Sequence, residues 1–179
     1  LPDVVKPEYL SLDEEEWQVV LQNIRKAIAE IDRFRTQEGN ALKKDITGNL
    51  EIIKNLLSQI EPFEGHRLDS LKIRLSENLE SLKLNGGIDK NRFEQELIFY
   101  LEKLDINEEK VRLNNHLKYF LETIEEKVPT GKKLGFIAQE LGREINTIGS
   151  KANHSEIQKL VVQMKDYLER IKEQLLNVL

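Results

Sequence analysis

Residues 131–153 read GKKLGFIAQELGREINTIGSKAN, and the fold turns on how this stretch is taken. Leu134, Ile137, Leu141, Ile145 and Ile148 recur at three- and four-residue steps, which sets them on one face of an α-helix. The other positions carry Gln139, Glu140, Arg143, Glu144, Asn146, Thr147, Ser150 and Lys151. A helix surface built only for solubility would use mostly Glu and Lys. Asn, Thr, Ser and Gly are poor helix formers, so this surface gives up helix propensity for another reason. It is a functional signal that does not by itself name a function.

Downstream, Ser155-Glu-Ile-Gln158 has the form of a capping box. Ile157, Val161, Met164, Leu168, Ile171, Leu175 and Val178 then step 4-3-4-3-4-3. Such strict heptad spacing suits a narrow seam against one or two long partner helices. Upstream, Pro129-Thr-Gly131 closes a helix that carries Val111, His116 and Phe120. Asn107 is its expected cap, with Glu108 and Glu109 near the positive end of the dipole. Asp89 can cap a further helix with Phe93, Leu97, Tyr100, Leu101 and Leu104, and Phe63 to Leu84 is another helical pattern stopped at Asn85-Gly-Gly87. Near the start, Ser11-Leu-Asp-Glu14 reads as a capping box. Trp17, Leu21, Ile24, Ile28 and Ile31, then Leu42, Ile46, Leu50, Ile53, Leu57 and Ile60, follow as one long helix or two nearly collinear ones. No stretch alternates convincingly enough to be a strand. The expected fold is all-α, with six or seven long helices in antiparallel hairpins and coiled-coil-like packing.

Composition agrees. With 39% hydrophobic and 33% charged residues among 179, the chain favours long helices over a β-sandwich. The absence of Cys excludes disulfides and thiolate metal sites and fits a reducing compartment, so a cytoplasmic location is expected. Apolar runs of three or four residues cannot span a membrane, and no signal peptide is recognisable. A net charge of −5 argues against a protein wrapped in nucleic acid, yet leaves room for acids that hold a metal beside a separate basic strip. Nucleotide-binding loops, the G-x-S-x-G elbow and HExxH are absent, which sets aside kinases, dehydrogenases, serine hydrolases and zincins.

Three blocks carry a resemblance. Residues 131–153 are similar to a signature written close to GRKLDFLxQExNREANTxxSK. Arg35-Thr-Gln-Glu38-Gly39-Asn-Ala-Leu42 matches R-x-x-E-G-x-x-L, and Asp105-Ile-Asn-Glu-Glu109-Lys-Val-Arg112-Leu-Asn-Asn-His116 matches D-x-x-E-E-x-x-R-L-x-x-H. In this order they resemble the YicC-like endoribonuclease family from about Asp13 to the last residue. The resemblance implies RNA cleavage, and complete members with an N-terminal β-containing domain that assemble as homo-oligomeric rings, a hexamer being one such arrangement. On that reading residues 1–10 are a linker from the N-terminal domain and 11–179 are the helical C-terminal region. Two positions depart from the signature. Gly135 stands where it usually has Asp, and Gly142 where it has Asn or another polar residue; each Gly lowers helix stability by about 1 kcal/mol if exposed.

Glu109, Arg112 and His116 are spaced by three and four, so they share a helix face. A carboxylate beside an imidazole orients the ring and keeps it basic, as a general base or a metal ligand requires; the plainer alternative is an ion pair leading to a polar His. Glu140 and Glu144 form an i, i+4 acid pair that repels, and a divalent cation, Mn²⁺ or Mg²⁺, would turn the repulsion into binding; neighbouring bases could also neutralise both. Lys132, Lys133, Arg143 and Lys151 are the candidate contacts to RNA phosphates. Lys132 and Lys133 lie in a first turn where the dipole disfavours cations, so helix stability does not account for them. Glu38 and Gly39 interrupt an apolar stripe beside the same site or at a bend, one of Glu94 and Glu96 can reach it, and His66 and His154 read as ordinary surface or loop histidines. The leading expectation is a metal-dependent endoribonuclease with His116, Glu109 and Arg112 at the chemistry. The alternative is a non-catalytic helical module for oligomerisation or scaffolding.

Overall fold

A computed structural model describes residues 13–65, 73, 77, 95, 98–100, 102–126 and 128–177. Among the described residues there is no strand, and the four long helices are α1 (Glu14–Ser58), α2 (Asn107–Thr123), α3 (Gly131–Ala152) and α4 (Ser155–Leu175). The fold is all-α, as expected. The patterns at Phe63 to Leu84 and after Asp89 fall largely outside the described residues, as do residues 1–10 and Ser11. The chain divides into two units, Leu1–Ala41 and Leu42–Leu179.

The stripe beginning at Trp17 belongs to a single helix of 45 residues, α1. Its start is capped by Asp13, whose Oδ1 accepts the backbone N–H of Glu16 at 2.8 Å, and three acids fill the first turn. In the first unit the stripe stays open: Trp17, Ile24, Ile28, Ile31 and Phe34 are all exposed.

In the second unit the same periodicity is spent on burial. Ile46, Leu50, Ile53, Leu57 and Ile60 join a core completed by Leu113, Leu117 and Phe120 of α2, by Leu134, Leu141, Ile145 and Ile148 of α3, and by Ile157, Val161, Met164, Leu168 and Ile171 of α4. Helix α3 packs on both α2 and α4, so the heptad stripe of α4 finds its partner within the chain. Asn153 ends α3 in the left-handed conformation (φ 42°, ψ 42°), a position Asn tolerates. The next helix starts one residue earlier than the expected capping box places it. His154 occupies the cap position and makes no side-chain cap bond, while Gln158 donates to the carbonyl of Gly149. The expected cap at Asn107 is likewise displaced: Ile106 holds that place, and Asp105 Oδ1 accepts the Asn107 N–H at 3.0 Å.

Glycine spacing fixes how closely α3 and α4 approach. A Cβ on Gly149 would lie 3.0 Å from Val161 Cγ1, and one on Gly142 3.2 Å from Leu168 Cδ2. Gly135, seven residues earlier, faces open space. Of the two departures from the signature, Gly142 thus lies on the edge of α3 toward α4. At about 100° per residue, Gly135 is turned some 140° from Glu140 and 180° from Glu144.

Candidate metal and phosphodiester site

The polar face of α3 is a stripe rather than a scatter. Lys133, Glu140, Glu144 and Lys151 follow at helical spacing along the edge that meets α2, and α2 answers with Tyr119, His116, Arg112 and Glu109 in antiparallel order. At one end Lys133 Nζ donates to Glu126 Oε1 at 2.6 Å and lies 4.9 Å from the Tyr119 ring centroid. The hydrogen bond to Glu126, followed by that to Tyr119, raises the Lys133 pKa above its ordinary 10.5. At the other end Lys151 Nζ donates to Glu109 Oε1 at 2.7 Å. The Glu109 carboxylate is 5% exposed, and its Oε2 is buried with no hydrogen-bond partner among the described residues.

Between these ends sit His116, Glu140 and Glu144, whose ligand atoms all lie within 4.8 Å of one another. Glu144 is buried and the other two are half-buried. Two guanidinium groups stand at the limit of ion pairing: Arg112 Nη1 is 4.0 Å from Glu144 Oε1, and Arg143 Nη1 is 3.9 Å from Glu140 Oε2. Arg112 makes its close contact with Glu108 on its own helix. The carboxylates therefore converge on an imidazole with cations only at arm's length. Two oxygens and a nitrogen at this separation fit a divalent ion. The mixed donor set suits Mn²⁺ better than Mg²⁺, which prefers oxygen alone.

The structure thus brings His116 together with the acid pair, and sets Glu109 with Lys151 rather than with the imidazole: no hydrogen bond joins Glu109 and His116 among the described residues. Lys132 and Arg143 are exposed. Lys132 has no ion pair among the described residues, and Arg143 also accepts Thr147 Oγ1 at its carbonyl, 3.0 Å away. Glu38 and Gly39 lie on an exposed stretch of α1 within the first unit. Glu94, Glu96 and His66 lie outside the described residues. His154 packs its ring against Phe63 at a centroid distance of 5.4 Å. The proximity of Arg112 to Glu144 and the exposure of Tyr119 and Phe136 were not foreseen. Both depend on how α2 and α3 meet, which the periodicity of neither helix reports.

An all-helical protein with an acid–imidazole cluster in an interhelical seam is the class that fold and site define. Residues 60–179 match the family described as "Endoribonuclease YicC-like, C-terminal". A protein named "Probable endoribonuclease YicC" from Clostridioides difficile (strain 630) is 37% identical over 183 residues, covering 99% of this chain and 61% of that protein. Another of the same name from Haemophilus influenzae (strain ATCC 51907 / DSM 11121 / KW20 / Rd) is 29% identical over 183 residues, with 99% and 63% covered. The chain belongs to the YicC-like endoribonuclease family and spans about three fifths of the length of these curated relatives.

Proposed function

We propose that the protein is a metal-dependent endoribonuclease and that the α2–α3 seam is where RNA is cut. The observation that carries the reading is the convergence of His116, Glu140 and Glu144 within 4.8 Å. The names of the relatives and the family match support the reaction class. His116, Glu140 and Glu144 would hold Mn²⁺ or Mg²⁺, which when bound neutralises phosphate charge and makes a nearby water more acidic. Arg112 and Arg143, each near one carboxylate, can turn to the non-bridging oxygens of a phosphodiester as charge develops there. Lys132 and Lys133, at the start of α3 with its free N–H groups, take a neighbouring phosphate. Lys151 is engaged by Glu109, and this pair positions the far end of the seam. Half-burial of His116 limits water around it and lets the imidazole move a proton to or from the reacting oxygen where it is not a ligand. The place of action that goes with this reading is the cytoplasm.

The test is cleavage of an end-labelled RNA with Mn²⁺, with Mg²⁺ and with chelator, beside His116→Ala and Glu140→Gln. Internal cuts that need the ion and fall at least about 100-fold in both variants, with helicity kept, are the expected result. Equal cutting by parent and variants would remove this site from the reaction.

The second reading, a helical assembly module, draws on the open stripe of α1 from Trp17 to Phe34. The partner proposed for it is a second copy of the chain, running antiparallel. Asp13 to Glu16 are four consecutive acids, whereas residues 25–35 carry Arg25, Lys26, Arg33 and Arg35 against Glu30 and Asp32, so opposed copies place the acidic end on the basic one. Assembly of this kind, as in the ring expected from the resemblance, is compatible with RNA cleavage.

A further inference from the structure

Arg112 divides its charge between two carboxylates in an order that stability alone does not explain. Its guanidinium is half exposed and reaches them with different nitrogens. Nη2 meets Glu108 Oε1, one turn back on α2, and Nη1 stands 4.0 Å from Glu144 Oε1 on α3. The Glu108 side chain is 66% exposed and the Glu144 side chain 6%. Attraction between charges is weakest where water surrounds them, and exposed i, i+4 pairs add little to stability. An enclosed carboxylate needs a cation far more. Arg112 nevertheless gives its close contact to the exposed acid. No hydrogen bond reaches the Glu144 carboxylate among the described residues, although it converges with His116 and Glu140. A pair shaped only for stability would be arranged the other way round.

We propose that Arg112 is a displaceable counter-ion: its guanidinium competes with a divalent cation for Glu144, and Glu108 is the place to which it retreats. The inference rests on the endoribonuclease reading and adds how the same site is regulated. Without an ion, the guanidinium supplies the charge that the enclosed Glu144 carboxylate needs. When His116, Glu140 and Glu144 hold Mn²⁺, the guanidinium is repelled by a like charge close by. Arg112 then turns wholly to Glu108 or to an incoming phosphodiester. Its planar fork suits this exchange, because one nitrogen can keep its acid while another is released. Linkage fixes the signs. Whatever holds Arg112 near Glu144 weakens the ion, and whatever draws it away strengthens the ion by the same free energy. The order that follows is ion first, RNA second, since Arg112 is free for phosphate once Glu144 no longer depends on it.

The test is Mn²⁺ binding without RNA, measured by isothermal titration calorimetry at about pH 8 so that protons do not compete for the carboxylates. The proteins compared are the parent, Glu108→Gln, Arg112→Gln and the double variant. Arg112→Gln is expected to tighten Mn²⁺ about 5-fold or more, and Glu108→Gln to weaken it by a similar factor. Charge acting at a distance would give the same two signs, so the double variant decides. With Arg112 gone, Glu108 has nothing to draw away, and the double variant should bind as Arg112→Gln does. An equal effect of Glu108→Gln in both backgrounds, or parental binding by both single variants, would overturn the proposal. In the cleavage assay Arg112→Gln should reach half-maximal rate at lower Mn²⁺ while its maximal rate falls. Glu108 is exposed, so its variant keeps the core, and circular dichroism checks all three. If Glu144→Gln abolishes Mn²⁺ binding while the other variants bind as the parent does, the displacement falls and the ion site stands. If the variants behave as expected but RNA is cut equally in chelator, the displacement stands and the metal-dependent nuclease reading falls. A parent that binds no Mn²⁺ would overturn both.

Discussion

At Glu109 the side chain most deeply placed in the polar seam meets Lys151 from a residue 42 positions along the chain. The two partners are unequally buried, with the carboxylate 5% and the ammonium 30% exposed, and this inequality has a measurable consequence. Lys151→Met leaves an enclosed negative charge with no cation, a loss of about 3 kcal/mol. Glu109→Gln leaves an ammonium that can turn toward water, and the loss is about 1 kcal/mol. Urea unfolding of the two variants should rank them in that order; equal losses would mean that the carboxylate is better hydrated than its burial indicates. The sequence placed Glu109, Arg112 and His116 on one face correctly. It paired Glu109 with His116 because both lie on the same helix, whereas the ion partner comes from the facing one. Helical spacing reports which residues share a face, and the neighbour opposite that face is set by tertiary packing.

Among the helices, α3 is the element whose design was most legible and most easily misjudged. Its apolar stripe, its polar edge and its closeness to an acid pair all follow from periodicity. Its glycines do not. Gly135 and Gly142 read as losses from a functional pattern, yet the structure turns both away from the acid–imidazole cluster. Gly142, with Gly149, admits Leu168 and Val161 of α4. Val161 is β-branched and buried, so it has little freedom to retreat. Gly149→Ala should therefore destabilise by about 1 kcal/mol even after the gain in helix propensity. Gly135→Ala, facing open space, should stabilise by up to about 1 kcal/mol. Thermal unfolding of the pair separates close approach from propensity: a shift of the same sign for both would mean that α3 and α4 can part without cost. The expected helices over Phe63 to Leu84 and after Asp89 lie largely outside the described residues.

For the whole molecule, the contrast between the halves of α1 matters most. The same 4-3 repeat is buried from Ile46 onward and exposed from Trp17 to Phe34. On the proposed pairing of two copies through this stripe, Ile24→Glu together with Ile28→Glu is expected to lower the sedimentation coefficient without loss of helicity. An unchanged sedimentation coefficient would remove this stripe from any subunit contact. The periodicity was plain in the sequence throughout, but whether a stripe is covered by its own chain or by another was not.

The ion pairs at the two ends of the seam also do something neither does alone. Slide α3 by one turn in either direction and Glu109 faces Thr147 or the helix end in place of Lys151, while His116 faces Phe136 or a single carboxylate. Only one alignment gives the enclosed carboxylate its cation and the imidazole both acids. The terminal pairs thus work as the two pins of a keyed joint: they hold the distances between His116, Glu140 and Glu144 from outside, and tolerance at the centre is set at the ends.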